Sequence, residues 1–195
     1  MSDRSHRVLL YTLAFFGLLT DQVSKYGIFV WLADVPGNVF PIFTAPNDQG
    51  GFQLVAQQEY RPDGSRVPHV NHGALFGFMR DHKALANGVF AAISLAAALA
   101  IVIWSRFPGT GRDPWLCAAL GLILGGTVGN LYDRLLFNGV RDFLHWNYLF
   151  DWPVFNLADV FLVVGATLLL LQAFLAQPVA TPTNEPLAVS TGQKG

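Results

Sequence analysis

The sequence predicts an all-α membrane protein, four transmembrane helices joined to a small extracytoplasmic loop platform that contains β-structure. Three observations predict it. Charged residues make up only 13% of the 195-residue chain and hydrophobic residues 52%, with a mean hydropathy of +0.39. Soluble domains are about one quarter charged. Four stretches, residues 8–33, 84–104, 115–137 and 153–175, approach the roughly 20 mostly apolar residues that cross a bilayer core. What lies between them is too short for a separate soluble domain. Residues 1–176 therefore read as a single four-helix domain. Residues 177–195, rich in Pro, Thr and Ala, read as a disordered cytoplasmic tail.

The first stretch begins like a signal peptide, with Arg4 and Arg7 before an apolar run. No small-x-small cleavage site follows, and the apolar character continues past Asp21 and Lys25, so it reads as an uncleaved anchor helix. Arg106 and Arg112 fall on the same side as Arg4 and Arg7, while Arg61, Arg66, Arg80, Lys83 and Arg141 fall opposite. The counts nearly tie. The basic tail before the first helix decides, and places both termini in the cytoplasm.

The outer loop of residues 34–83 holds two segments, 50–60 and 66–70, flanking Pro62-Asp63-Gly64, which reads as a β-hairpin. The second outer loop, 138–152, carries Phe143, Trp146, Tyr148, Phe150 and Trp152, aromatics of the kind that gather at a membrane surface. The third stretch carries Gly121, Gly125 and Gly129 at four-residue spacing, which lets membrane helices approach closely. Gly126 and Gly129 adjoin Asn130 and are expected to clear space for a substrate backbone.

Several chemistries are excluded. A net charge of −1 gives no bulk attraction to nucleic acid. The single Cys117 rules out an intrachain disulfide framework and a cysteine metal site. The five histidines are scattered in tails and loops with no H-E-x-x-H, and no G-x-S-x-G is present.

Charged groups inside a span cost a few kcal/mol each, so the places that tolerate them are informative. They are Asp21 and Lys25 in the first stretch, Asn130, Asp133 and Arg134 in the third, and Asn156 and Asp159 in the fourth, with Asp142 just outside. All fall in the half of their span nearest the outer side. Asp21 and Lys25 share a helix face and can pair. Asp142 and Asp159 suit catalysis best, because two neighbouring carboxylates share a proton, and one then serves as base and the other as acid. From the residues alone, an internal salt-bridge network, a helix-start role for Asp159, an ion path through the carboxylates and an inert scaffold all stay open.

Five blocks in order resemble one family. They are Asp21-Gln22-Val23-Ser24-Lys25, Asn71-His72-Gly73-Ala74-Leu75-Phe76-Gly77, the run from Gly125 through Asn130 to Asp133-Arg134, Val140-Arg141-Asp142-Phe143 and Phe155-Asn156-Leu157-Ala158-Asp159. Together they are similar to lipoprotein signal peptidase, the bacterial type II signal peptidase. The resemblance implies an intramembrane aspartyl endopeptidase of the inner membrane whose catalytic pair falls on Asp142 and Asp159. It implies substrate-binding or supporting roles for Asp21, Lys25, Asn71, Gly126, Asn130, Arg134, Asn156 and Ala158. The implied substrate is a prolipoprotein with a diacylglyceryl group on its cysteine, cut just before that cysteine. Membrane lipids are implied as surroundings, with no metal, cofactor or nucleic acid, and a monomer is expected. Leu75 stands where the family commonly has a small residue, and the loop before Asn71 is longer than usual.

Overall fold

The structure, a computed structural model, describes residues 5–46, 49–73 and 82–175. The tail at 177–195 and the Ala74, Leu75 and Phe76 positions lie outside the described residues. Four helices appear in order: α1 (Arg7–Leu32), α2 (Lys83–Ser105), α3 (Pro114–Phe137) and α4 (Leu157–Leu175). Strands β1 (Val39–Thr44), β2 (Gly51–Val55), β3 (Gln58–Tyr60) and β4 (Arg66–Pro68) lie between α1 and α2, and β5 (Leu144–Trp146) between α3 and α4.

By length and composition, three of these helices are long and apolar enough to cross a membrane: α2, α3 and α4. Helix α1 has 26 residues, about 39 Å at 1.5 Å per residue, but Asp21 and Lys25 interrupt its apolar run. Of the most apolar part of each helix, 56% is buried in α3, 22% in α2 and 11% in α4. Helix α3 is therefore the centre of the bundle. The outer faces of α2 and α4 are covered with exposed Ile93, Leu99, Ile103, Val163, Leu170 and Phe174, a surface suited to lipid.

Glycine makes this central position possible. A Cβ at Gly121 would stand 2.5 Å from the Leu10 carbonyl oxygen, and one at Gly125 would stand 2.8 Å from that of Ala14, both on α1. On the α4 side, a Cβ at Gly126 would collide with the Ala158 carbonyl. The space left open by Gly126 is thus filled by helix α4 rather than kept for a substrate backbone. Helix α2 packs more conventionally, with Ala98 and Ile101 against Leu120, Leu124 and Cys117. The start of α3 is set by Pro114 and by Asp113, whose Oδ1 accepts from the backbone N–H groups of Trp115 and Leu116. It ends at Asn138, which adopts the left-handed conformation.

The β-platform has two parts. Strands β1, β2 and β5 form an antiparallel sheet in that order, with Phe40 opposite Leu54 and Phe52 opposite Trp146. Strands β3 and β4 form a separate hairpin, with Glu59 opposite Val67. Gly64 closes its turn at φ 80°, a conformation that glycine adopts without strain. The expected first hairpin arm, 50–60, is therefore two strands. Its first half leaves the hairpin to pair with β1 and β5, because Phe52 and Leu54 find an apolar layer there with Phe29 and Leu32 of α1, Phe143 and Leu144. That layer seats the sheet on the C-terminal end of α1 and the N-terminal end of α4.

Candidate active site

The polar residues of α1, α3 and α4 converge beneath this sheet. Asp21, Lys25 and Asp133 are fully buried. Lys25 Nζ donates to Asp21 Oδ2 at 2.9 Å and to Asn130 Oδ1 at 3.1 Å, and stands 3.5 Å from Asp133 Oδ2. Asp133 takes its main partner from the loop after α3. Arg141 Nη2 donates to Asp133 Oδ1 at 2.8 Å, and Arg141 Nε and backbone N donate to Oδ2 at 3.1 and 2.9 Å. The guanidinium carbon of Arg141 also lies 4.1 Å from the ring centroids of both Tyr26 and Phe137. Gln22 links the two halves, donating to Asp21 Oδ2 and the Gly129 carbonyl while its Oε1 accepts from Arg141. Two carboxylates and two cations thus cancel inside the bundle, which is how it tolerates four buried charges.

Above this neutral cluster sit Asp142 and Asp159, joined through asparagine amides. Asn156 Nδ2 donates to Asp142 Oδ1 at 2.7 Å, and Asn71 Nδ2 donates to Asp142 Oδ2 at 3.1 Å. Asn130 Nδ2 donates to Asp159 Oδ1 at 2.8 Å, and the Asn156 backbone N–H donates to Asp159 Oδ2 at 3.1 Å. Asn156 therefore holds both carboxylates, one with its side chain and one with its backbone. Its own Oδ1 accepts from the Asp159 N–H at 3.1 Å. This reciprocal pair of bonds is a capping box at the start of α4. Asp159 thus fills the helix-start role that its position suggested and also faces the Asp142 network. The next orphan donor, the Ala158 N–H, is satisfied by Asp21 Oδ1 at 3.0 Å, which ties α4 to α1.

Asn71 is held in place by paired backbone bonds with Val140, 2.7 and 2.9 Å long. Burial pushes the Asp142 carboxyl up to about 6, with the Asp159 charge adding, against the opposing hydrogen bonds from Asn156 and Asn71. A carboxyl in this range can keep a proton near neutrality and give it up in a reaction.

Arg134 is not the partner of the adjacent Asp133. It turns toward α2, with its guanidinium carbon 5.6 Å from the Phe90 ring centroid. Its buried Nε has no hydrogen-bond partner among the described residues. Its backbone carbonyl accepts from Asn87 Nδ2. All ten residues singled out in the sequence lie in or against this cluster. Three that it also uses, Gln22, Asn87 and Arg141, were not singled out. Charge balance could have found Arg141, since two buried aspartates need two cations and Lys25 supplies one.

The family described as signal peptidase (SPase) II matches this chain over residues 13–175. The chain belongs to the signal peptidase II family. A lipoprotein signal peptidase of Rhodopirellula baltica is 39% identical over 181 residues, covering 85% of this chain and 71% of the relative. One from Pseudomonas fluorescens is 38% identical over 166 residues, covering 83% and 97%. A bacterial membrane enzyme solved by the in meso method superposes with a TM-score of 0.67 at 23% identity, covering 89% of this chain and 92% of that one. That likeness establishes a shared fold. As a signal peptidase II family member, the chain is a protease with apolar helices fitted to a membrane.

Proposed function

We propose that this protein is an aspartyl endopeptidase that removes signal peptides from diacylglyceryl-modified prolipoproteins, cutting just before the lipidated cysteine. The observation that carries this reading is the pair Asp142 and Asp159, each bound by two N–H donors and both held by Asn156. In this reading the pair shares one proton, held at rest on Asp142. Asp159 takes a proton from a water as its oxygen attacks the scissile carbonyl carbon. Asp142 gives its proton to the carbonyl oxygen, which becomes the hydroxyl of a tetrahedral intermediate. Collapse of the intermediate breaks the C–N bond: the departing cysteine nitrogen takes the proton held by Asp159, and the hydroxyl returns its proton to Asp142 as the carbonyl re-forms. Arg134, whose Nε has no hydrogen-bond partner among the described residues, supplies positive charge to the developing oxygen.

The same proposal extends to the surroundings. All four helices span the membrane with both termini in the cytoplasm, and the carboxylates sit at the outer leaflet beneath the sheet. Exposed Phe40, Phe43, Phe150 and Trp152 on the platform and Trp31 at the end of α1 support that depth. The protein acts as a monomer among membrane lipids.

The test is cleavage of a diacylglyceryl-modified prolipoprotein by purified protein in nanodiscs, read by product mass. Cleavage before the lipidated cysteine, lost in both Asp142→Asn and Asp159→Asn and indifferent to a chelator, is expected. A folded wild type that cleaves nothing would overturn the proposal.

A further inference from the structure

Beside Asp142, on the side away from the helices, lies a cavity of about 410 Å³. Its walls come from the segments that join the helices and from the first residue of α2. Gln57 comes from the turn between β2 and β3, His69, Asn71 and His72 from the segment after β4, and Lys83 from the start of α2. A peptide whose apolar part lies among the helices and whose scissile bond sits at Asp142 must leave through this space.

Beside Asp142 and the apolar Val55, Val70, Pro153 and Val154, the lining carries amides, two imidazoles and one cation, Lys83. Asn71 is turned toward Asp142, and His72 Nδ1 donates to the Asn138 carbonyl at 2.6 Å. His69 Nδ1 lies 2.6 Å from Glu59 Oε1. Lys83 has no ion-pair partner among the described residues. It also opens a helix at the positive end of the dipole, where a cation is disfavoured and an anion welcome. Glu59 reports the sign of the local field. Its carboxyl is held below the usual range first by the hydrogen bond from His69, with the charges of His69, Lys83 and His72 adding.

We infer that this cavity is the subsite for the first residues on the mature side of the cut, and that Lys83 gives it a preference for an acidic side chain there. The inference rests on the peptidase reading and adds to it a specificity-determining residue outside the carboxylate network. Lys83 acts on substrate binding and not on the chemical step, so its effect falls on KM.

Three lipidated substrates, identical except for Glu, Gln or Lys at the second and third positions after the cysteine, would be cleaved by wild type, Lys83→Gln and Lys83→Glu. The readout is the ratio of KM between the Lys and Glu substrates. For one partly exposed ion pair the expected ratio in wild type is about two- to five-fold in favour of Glu. It should collapse toward one in Lys83→Gln, invert in Lys83→Glu and shrink as salt rises. A ratio equal in all three proteins would overturn the inference while leaving the peptidase standing. So would a Lys83 effect that follows the anionic phospholipid content of the nanodisc instead of the substrate residue, which would assign Lys83 to a headgroup. No cleavage of any substrate by folded wild type would overturn both readings together.

Discussion

Arg141 is the largest fully buried side chain, 1% exposed. Replacing it with Met keeps much of its volume and removes its charge. Three guanidinium hydrogen bonds disappear, two to Asp133 and one to Gln22, together with the contacts to Tyr26 and Phe137. Asp133 would keep only Lys25 at 3.5 Å and Gln22 at 3.3 Å among its side-chain partners. Breaking one side of a buried ion pair costs about 3–5 kcal/mol, chiefly because the other charge is stranded. That is a large part of the roughly 5–15 kcal/mol that keeps a domain folded. Arg141→Met should therefore unfold at much lower denaturant in an SDS titration from mixed micelles, followed by circular dichroism. Adding Asp133→Asn restores neutrality, with Lys25 against Asp21. The double variant should be more stable than the sum of the two single losses by about 2 kcal/mol or more. A loss under about 1 kcal/mol for Arg141→Met, or strict additivity in the cycle, would refute the view that charge cancellation holds this cluster.

Three further outcomes follow from the same contacts. Asn156→Ala removes a donor from Asp142 and the side-chain cap of α4, so kcat should drop about 10²–10³-fold while unfolding shows a loss of only about 0.5–2 kcal/mol; equal stability loss and intact kcat would contradict the shared-donor role. The pH profile of kcat/KM should fall on its alkaline side with an apparent pKa near 6, the Asp142 value. Above it the Asp142 proton is gone, and because a carboxyl raised from 3.8 to about 6 stabilises the fold while protonated, stability should decline as pH rises from about 4 to about 6 and level off above; a flat kcat/KM profile from pH 5 to 8 would count against it. Gly126→Ala drives a Cβ into the Ala158 carbonyl and should cost about 1–3 kcal/mol, whereas Gly27→Ala meets nothing within 4 Å and should be neutral or stabilising by up to about 1 kcal/mol in a helix, both read by thermal unfolding.

The helices were legible because their apolar runs are long and their polar interruptions few. The role of α3 was legible in part, since Gly121 and Gly125 announce close neighbours on one face. Gly126 was misleading. A glycine beside a polar residue looks like open space, but what fills it is the α4 backbone, from a segment more than 30 residues later. The platform was harder. Nothing between Val55 and Gln58 marks a break, as no Gly or Pro stands there, so 50–60 looks like one strand. Strand β5 has only three residues and β1 carries Pro41 in its middle, and aromatics such as Phe40 and Trp146 also suit a membrane surface. Only their pairing through β2 makes them strands. Asp133 and Arg134 adjoin in sequence yet point to different neighbours, because consecutive helix residues diverge by about 100°. Arg141 looked like an ordinary loop cation, and only the three-dimensional charge balance shows otherwise.

The capping box at Asn156 also bears on when this protein becomes a protease. The carboxylate pair exists only once the first turn of α4 has wound, since Asn156 aligns both acids as it caps that turn. The turn is itself moored to α1 through Asp21 and the Ala158 N–H. Helices α1 and α4 therefore both take part in one small constellation. If the pair is the catalytic dyad proposed above, a nascent chain with α1 and α3 in place but α4 still emerging carries Asp142 without Asp159 and cannot cut. On the proposed mechanism, activity waits for α4 to fold against α1, so a partly inserted chain cannot cut its neighbours.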